Sequence, residues 1–185
     1  MPLQKVSKEE LIKKVLPIFK QKGYHNATMS ELAQACGVRN ALFYYYFKDK
    51  EDLMAEVLQF FKTRSTQKLK AMVEDQDLSL GEKVQAFVQF LEGAYLGSFN
   101  GCIMANISLE TAFDEPAFLP ILKSFFDDWI ASMSTLFLHK FQPEIAREMA
   151  EATVQDIEGG ILLMKLYKDK HYLEKALNRF VKLLA

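Results

Sequence analysis

Glycine and proline are scarce in this chain, eight and five among 185 residues, so turns are few and long uninterrupted elements are favoured. Cysteine is scarcer still. Cys36 and Cys102 lie far apart and form no metal-like cluster, which suits a reducing compartment better than a disulfide scaffold. His25, His139 and His171 share no metal-ligand spacing, and no metal or cofactor is expected. Long apolar runs are missing as well: the longest uncharged stretch, Gly93 to Leu109, is broken by Ser98, Asn100, Gly101 and Asn106 and makes a poor membrane span. Near the start, Lys5, Lys8, Glu9, Glu10, Lys13 and Lys14 interrupt any apolar signal core. There is no alternating strand pattern, internal repeat or low-complexity tract. What remains is a cytoplasmic, all-α globular protein. Half its residues are apolar, and 15 Phe, 8 Met and 7 Tyr supply the packing.

The net charge of -1 conceals an asymmetry, because residues 1–50 carry +5 and residues 51–185 carry -6. A basic head suits nucleic acid or an anionic membrane surface; an acidic, aromatic-rich body suits self-association or a small molecule. The helical signals are sharp in the head. Leu11, Ile12, Val15, Leu16, Ile18 and Phe19 recur at helical spacing from Lys8 to Lys22, with Pro17 inside the helix and Gly23 as its stop. Thr28-Met29-Ser30-Glu31 is a capping box that opens a short helix ended by Gly37. A third short helix runs from about Asn40 through Phe47, and Asp49 caps a long fourth. Two short helices joined by a glycine-containing turn are the signature of a helix-turn-helix. Downstream, the Ser79–Glu82 capping box opens a helix carrying Val84, Phe87, Val88, Leu91 and Tyr95. Helices are then expected over Cys102–Phe113, Leu119–Phe141, Pro143–Lys168 and Tyr172–Leu184.

The stretch GVRNALFYYYFKDKEDL, Gly37 to Leu53, resembles the end of the helix-turn-helix and the start of the next helix in the TetR family of bacterial repressors. Upstream, the Lys22-Gly23-Tyr24 stop, Thr28, Leu32-Ala33 and Cys36-Gly37-Val38 extend the likeness in order and spacing. The resemblance implies a three-helix DNA-binding domain over residues 1–50, a larger helical effector-binding and dimerisation domain over residues 51–185, and a homodimer. It also implies that Thr28, Tyr44, Tyr46 and Lys50 grip phosphates, for which phenol, ammonium and a helix N-terminal amide are competent donors. Base reading falls to the leading end of the third helix. Arg39 suits guanine, Asn40 adenine, and Leu42 a thymine methyl. Arg39 replaces the family's usual Ser or Thr cap, so either Asn40 caps the helix or the helix begins one residue later.

For the two long helices the resemblance implies a four-helix bundle across a two-fold axis. Gly159-Gly160 in the second of them calls for close approach by another helix, from within the chain or from a partner. An effector site is expected among Tyr95, Phe126, Trp129 and Met133, joined by Asn106 and Glu110, two polar residues one turn apart in an uncharged segment. Cys102, at a helix start, is either an electrophile or redox sensor or a quiet buried thiol. No nucleophile, base and orienting group occur together, so no catalysis is expected. The expected function is that of a transcriptional repressor released from a palindromic double-stranded operator by a small, largely apolar effector. A helical lipid-binding or adaptor protein with a basic head is the rival reading.

Overall fold

In the computed structural model, which describes residues 6–185, those residues form helices and no strand. In chain order the helices are α1 (Lys8–Lys22), α2 (Met29–Cys36), α3 (Asn40–Tyr46), α4 (Lys50–Glu74), α5 (Leu80–Tyr95), α6 (Ile103–Glu110), α7 (Leu119–Phe137), α8 (Pro143–Tyr167) and α9 (His171–Leu184). No helix among them is long and apolar enough to cross a membrane. The described residues pack as two compact units. One contains the chain through Lys62 together with Ile103–Leu122; the other contains Thr63–Cys102 and Lys123–Ala185. This partition by packing differs from the partition by role expected at residue 50, because it returns α6 to the head. Residues 1–5 of the expected DNA-binding domain lie outside the described residues.

In the first unit the helix starts are set by side chains. Ser7 and Glu10 form a capping box at α1, and Thr28 and Glu31 form one at α2, where the Glu31 amide donates to the Thr28 hydroxyl at 3.3 Å. Each box satisfies amide groups that a helix start would otherwise leave without partners. α2 ends at Gly37, whose φ of 72° and ψ of 28° place it in the left-handed region that favours glycine. Lys14 supports that end by donating to the Cys36 carbonyl at 3.0 Å. Asp49 accepts from the Asp52 amide at 2.8 Å at the start of α4. Leu11, Val15, Phe19, Leu32, Phe43, Phe47 and Leu53 are buried and form this unit's core. α1 continues through Pro17.

The second unit is built on α5, α8 and α9. Phe87 of α5 meets Phe180 of α9 with ring centroids 5.5 Å apart, and Phe137 meets Phe180 at 6.1 Å. α9 has a buried stripe at helical spacing, Leu173, Ala176, Leu177, Phe180 and Leu184. The adjacent glycines of α8 have separate roles. A Cβ on Gly160 would stand 3.0 Å from the Tyr172 carbonyl oxygen and 3.2 Å from the Ala176 Cβ, so α9 needs a residue without a side chain there. Nothing lies within 4 Å of a Cβ on Gly159.

Several helix ends differ from expectation, most by a single residue and those of α6 and α7 by three or four. α6 stops at Glu110 rather than Phe113, because the Asp114 amide turns back to the Thr111 carbonyl and the chain leaves the helical region by Glu115, whose φ is 45°. α7 stops at Phe137 rather than Phe141, where the Lys140 amide tightens onto the Phe137 carbonyl at 2.9 Å. α9 begins one residue early, at His171, whose amide donates to the Asp169 carboxylate at 3.0 Å.

Candidate nucleic-acid interface and effector-site residues

α3 is only seven residues long, too short to persist alone, and it is held by what it buries. Phe43 and Phe47 are both fully buried and meet edge to face at 5.2 Å. With that side anchored, the opposite side faces solvent. Arg39, Asn40, Leu42, Tyr44 and Tyr45 are all exposed, Tyr45 to 79%. Sequence reasoning passed over Tyr45, although three consecutive tyrosines on a helix require at least one outward ring. Neither expectation for the cap holds: Arg39 itself occupies the N-cap position, with no side-chain bond, and α3 begins directly after it at Asn40. The Asn40 amide group donates instead to the Ser30 hydroxyl at 3.3 Å, tying the leading ends of α2 and α3 together.

The residues expected to grip phosphates are placed differently from one another. Thr28 is exposed, with its hydroxyl committed to the Glu31 box. Tyr44 is exposed. The Tyr46 hydroxyl donates to the Val6 carbonyl at 2.7 Å. The Lys50 ammonium donates to the Tyr24 and His25 carbonyls at 3.0 and 3.3 Å and lies 4.5 Å from the centre of the Tyr24 ring. An ammonium has three donors, and these two bonds leave one.

The loop between α1 and α2 is secured by a distant carboxylate. Glu110, at the end of α6, accepts from the Tyr24 and His25 amides at 2.7 and 2.6 Å. The His25 ring adds a contact of 3.2 Å to the Asp114 carboxylate. Gly23, with a φ of 79°, lies against the same carboxylate, and a side chain there would collide with it. Of the expected effector-site residues, Asn106 and Glu110 therefore belong to the first unit, and Tyr95, Phe126, Trp129 and Met133 to the second. In the second unit Phe126 stacks on Trp129 at 6.4 Å, and Met133 is buried one turn further along α7.

Three buried polar atoms of the second unit have no hydrogen-bond partner and carry more information than the apolar lining: Trp129 Nε1, Thr153 Oγ1 and Glu158 Oε1, of which only the last belongs to an ionisable group. Glu158 was not anticipated from sequence. Its signal is a charged residue on the buried stripe of α8, between Val154 and Ile161 at spacings of four and three. Although the residue as a whole is only half-buried, its carboxyl is removed from solvent, and burial pushes its pKa up to about 7. The Cys102 thiol hydrogen-bonds both this carboxyl and the Tyr95 phenol, whose own pKa burial pushes well upward. Cys102 is 1% exposed, so the thiol is buried as one of the two expectations had it. Cys36 is buried too, and its thiol pKa is raised by that burial.

Comparison with known proteins converges on one family. The family model for bacterial regulatory proteins of the tetR family matches residues 16–57, and that for the C-terminal domain of LmrA/YxaF-like transcriptional regulators matches residues 81–179. The HTH-type transcriptional repressor DhaR of Mycobacterium sp. (strain GP1) is 23% identical over 180 residues, covering 92% of this chain and 88% of its own. A TetR transcriptional regulator from Legionella pneumophila superposes over the whole of both chains with a TM-score of 0.88 at 22% identity, a likeness of fold. The regulator FadR from Bacillus subtilis, solved in complex with stearoyl-CoA, superposes with a TM-score of 0.73 at 16% identity, covering 96% of this chain and 97% of its own.

Proposed function

Because the chain belongs to the TetR family of bacterial regulatory proteins and is a DNA-binding transcriptional regulator, we propose that it acts as a homodimeric repressor whose operator is a two-fold inverted repeat. The observation that carries this reading is α3: a short helix fixed by Phe43 and Phe47, with Arg39, Asn40, Leu42, Tyr44 and Tyr45 facing outward from its leading end and outer side. An α-helix of that exposure fits a major groove, where side chains of its first turns reach base edges. Arg39, Asn40 and Leu42 read bases; Tyr44 and Lys50 hold phosphates, whereas the Thr28 and Tyr46 hydroxyls, expected to do the same, already give their protons to Glu31 and Val6. One such helix specifies few base pairs, so affinity needs two copies about one helical turn apart.

The dimer face we assign is the outer side of α8. Ile145, Ala152, Gly159, Leu163 and Leu166 follow one another at spacings of seven, seven, four and three, so they share one side of the helix. Ile145, Leu163 and Leu166 are exposed apolar residues, and the open space at Gly159 allows a second helix to approach closely. The division of roles between residues 1–50 and 51–185 is part of the same proposal, as are a cytoplasmic location and a purely regulatory, non-catalytic role. Release requires an effector that binds better to a form with low operator affinity. A coupling of about 1–3 kcal/mol lowers that affinity roughly 5- to 150-fold. FadR with stearoyl-CoA supports a small molecule held within this fold.

The test is selection of binding sites from a pool of random duplexes with the purified full chain. The reading expects an inverted repeat with half-site centres ~34–36 Å apart. Recovery of no consensus, with affinity instead for anionic lipid vesicles, would overturn it in favour of the basic-head membrane protein.

A further inference from the structure

We propose that the free oxygen of Glu158, backed by the Cys102 thiol and the Tyr95 phenol, is the charge-reading end of the effector site, and that the effector is a cationic amine carried on an apolar body. This rests on the reading that the second unit holds an effector.

Three distant segments converge here: Tyr95 ends α5, Cys102 precedes α6, and Glu158 lies in the middle of α8. Tyr95 sits one turn beyond Leu91 on the buried stripe of α5, and Glu158 lies between Val154 and Ile161 on that of α8, so both polar groups occupy positions a core would fill with apolar side chains. The Cys102 thiol meets both the Glu158 carboxyl and the Tyr95 phenol, and its bond to Glu158 favours the ionised carboxylate, which can only accept. One carboxyl oxygen is served. The other, Oε1, is buried and unpartnered.

Such an oxygen lacks a donor and a positive charge. Burial and the Cys102 bond alone set the ionisation of Glu158, and no lysine, arginine or histidine contributes to it. A neutral hydroxyl would satisfy the lone pairs but leave the ionised carboxylate uncompensated; an anion would be repelled; a protonated amine does both tasks. An apolar body follows from the stripe on which Glu158 sits. The Cys102 bond occupies one carboxyl oxygen, and the buried, unpartnered Oε1 is the atom left for the ligand.

The experiment is calorimetric titration of the full chain with three molecules sharing one apolar body: 1-naphthylmethylamine, 1-naphthylmethanol and 1-naphthoate. The amine should bind at least tenfold more tightly than the alcohol at pH 7.5, and naphthoate most weakly. Its advantage should grow between pH 6 and pH 8 as the carboxyl ionises, and it should vanish in Glu158→Gln. Glu158→Asp keeps the charge and should retain part of the preference; circular dichroism confirms that both variants are folded. An amine that binds no better than the alcohol, or not at all, overturns the proposal. That result leaves the repressor reading standing, because operator selection with the same preparation tests the latter independently.

Discussion

Replacing Glu158 with Gln should make the protein more stable at alkaline pH and change little at acid pH. Burial raises the Glu158 pKa from 4.5 to about 7. At about 1.36 kcal/mol for each pKa unit, this shift corresponds to about 3 kcal/mol. The sign follows from which state holds the proton. Below pH 4.5 the carboxyl is protonated folded and unfolded, and its ionisation costs nothing. Between pH 4.5 and pH 7 the unfolded chain releases the proton and the folded chain keeps it, so stability falls by roughly 1.4 kcal/mol per pH unit. Above pH 7 the full penalty of about 3 kcal/mol persists. Glutamine has the same shape and no ionisation, so the variant escapes this slope. Its amide group introduces donors of its own, but that offset is the same at every pH. The assay is urea unfolding of both proteins at pH 5 and pH 8, at equal protein concentration because dimerisation adds to apparent stability. The difference in unfolding free energy should move by about 2–3 kcal/mol in favour of the variant between the two pH values. A difference that stays constant would show that Glu158 is solvated or paired in the folded protein, and the orphan-oxygen argument would fail.

Other perturbations address the head and the dimer face. Lys50→Ala should weaken binding to every duplex and reduce the slope of log affinity against log salt by about 0.9, if the third ammonium donor meets a phosphate; an unchanged slope assigns the side chain wholly to the Tyr24 and His25 carbonyls. Asn40→Ala should relax selection at one base pair of each half-site and leave the salt slope intact, and an unaltered selection profile would remove Asn40 from the base-reading set. Leu163→Glu combined with Leu166→Glu should yield a folded monomer with greatly reduced operator affinity; sedimentation of an intact dimer would place the interface away from the outer side of α8.

Local chemistry made most of the helices legible. The Thr28 box, the Gly37 stop and Pro143 at a helix start act over three or four residues, and each stands where its sequence neighbourhood puts it. The α1 box at Ser7 and Glu10 was equally local and was passed over. Helix ends were harder, because α6 and α7 finish through turns in which backbone groups satisfy one another, with no glycine as a marker. The Gly159-Gly160 pair shows the limit from the other side. Sequence says that two glycines in a helix need a close neighbour; only the packing of α9 says that Gly160 has one within the chain and Gly159 does not.

Glu110 and Glu158 show why the candidate sites were less legible than the fold. Both are acidic residues on helices, and composition draws attention to Glu110 alone because it ends the long uncharged run that begins at Gly93. Yet Glu110 is satisfied by two amides some 85 residues earlier in the chain, where its carboxylate holds the turn between α1 and α2. Glu158, one of several charged residues along α8 and marked only by its place on the buried stripe, is the carboxyl left with an unpartnered oxygen. Whether a buried charge is structural or available to a ligand depends on what the rest of the chain brings to it. That is a matter of long-range packing, to which helical periodicity is blind, and the periodicity of α8 shows only that position 158 faces the same way as Val154 and Ile161.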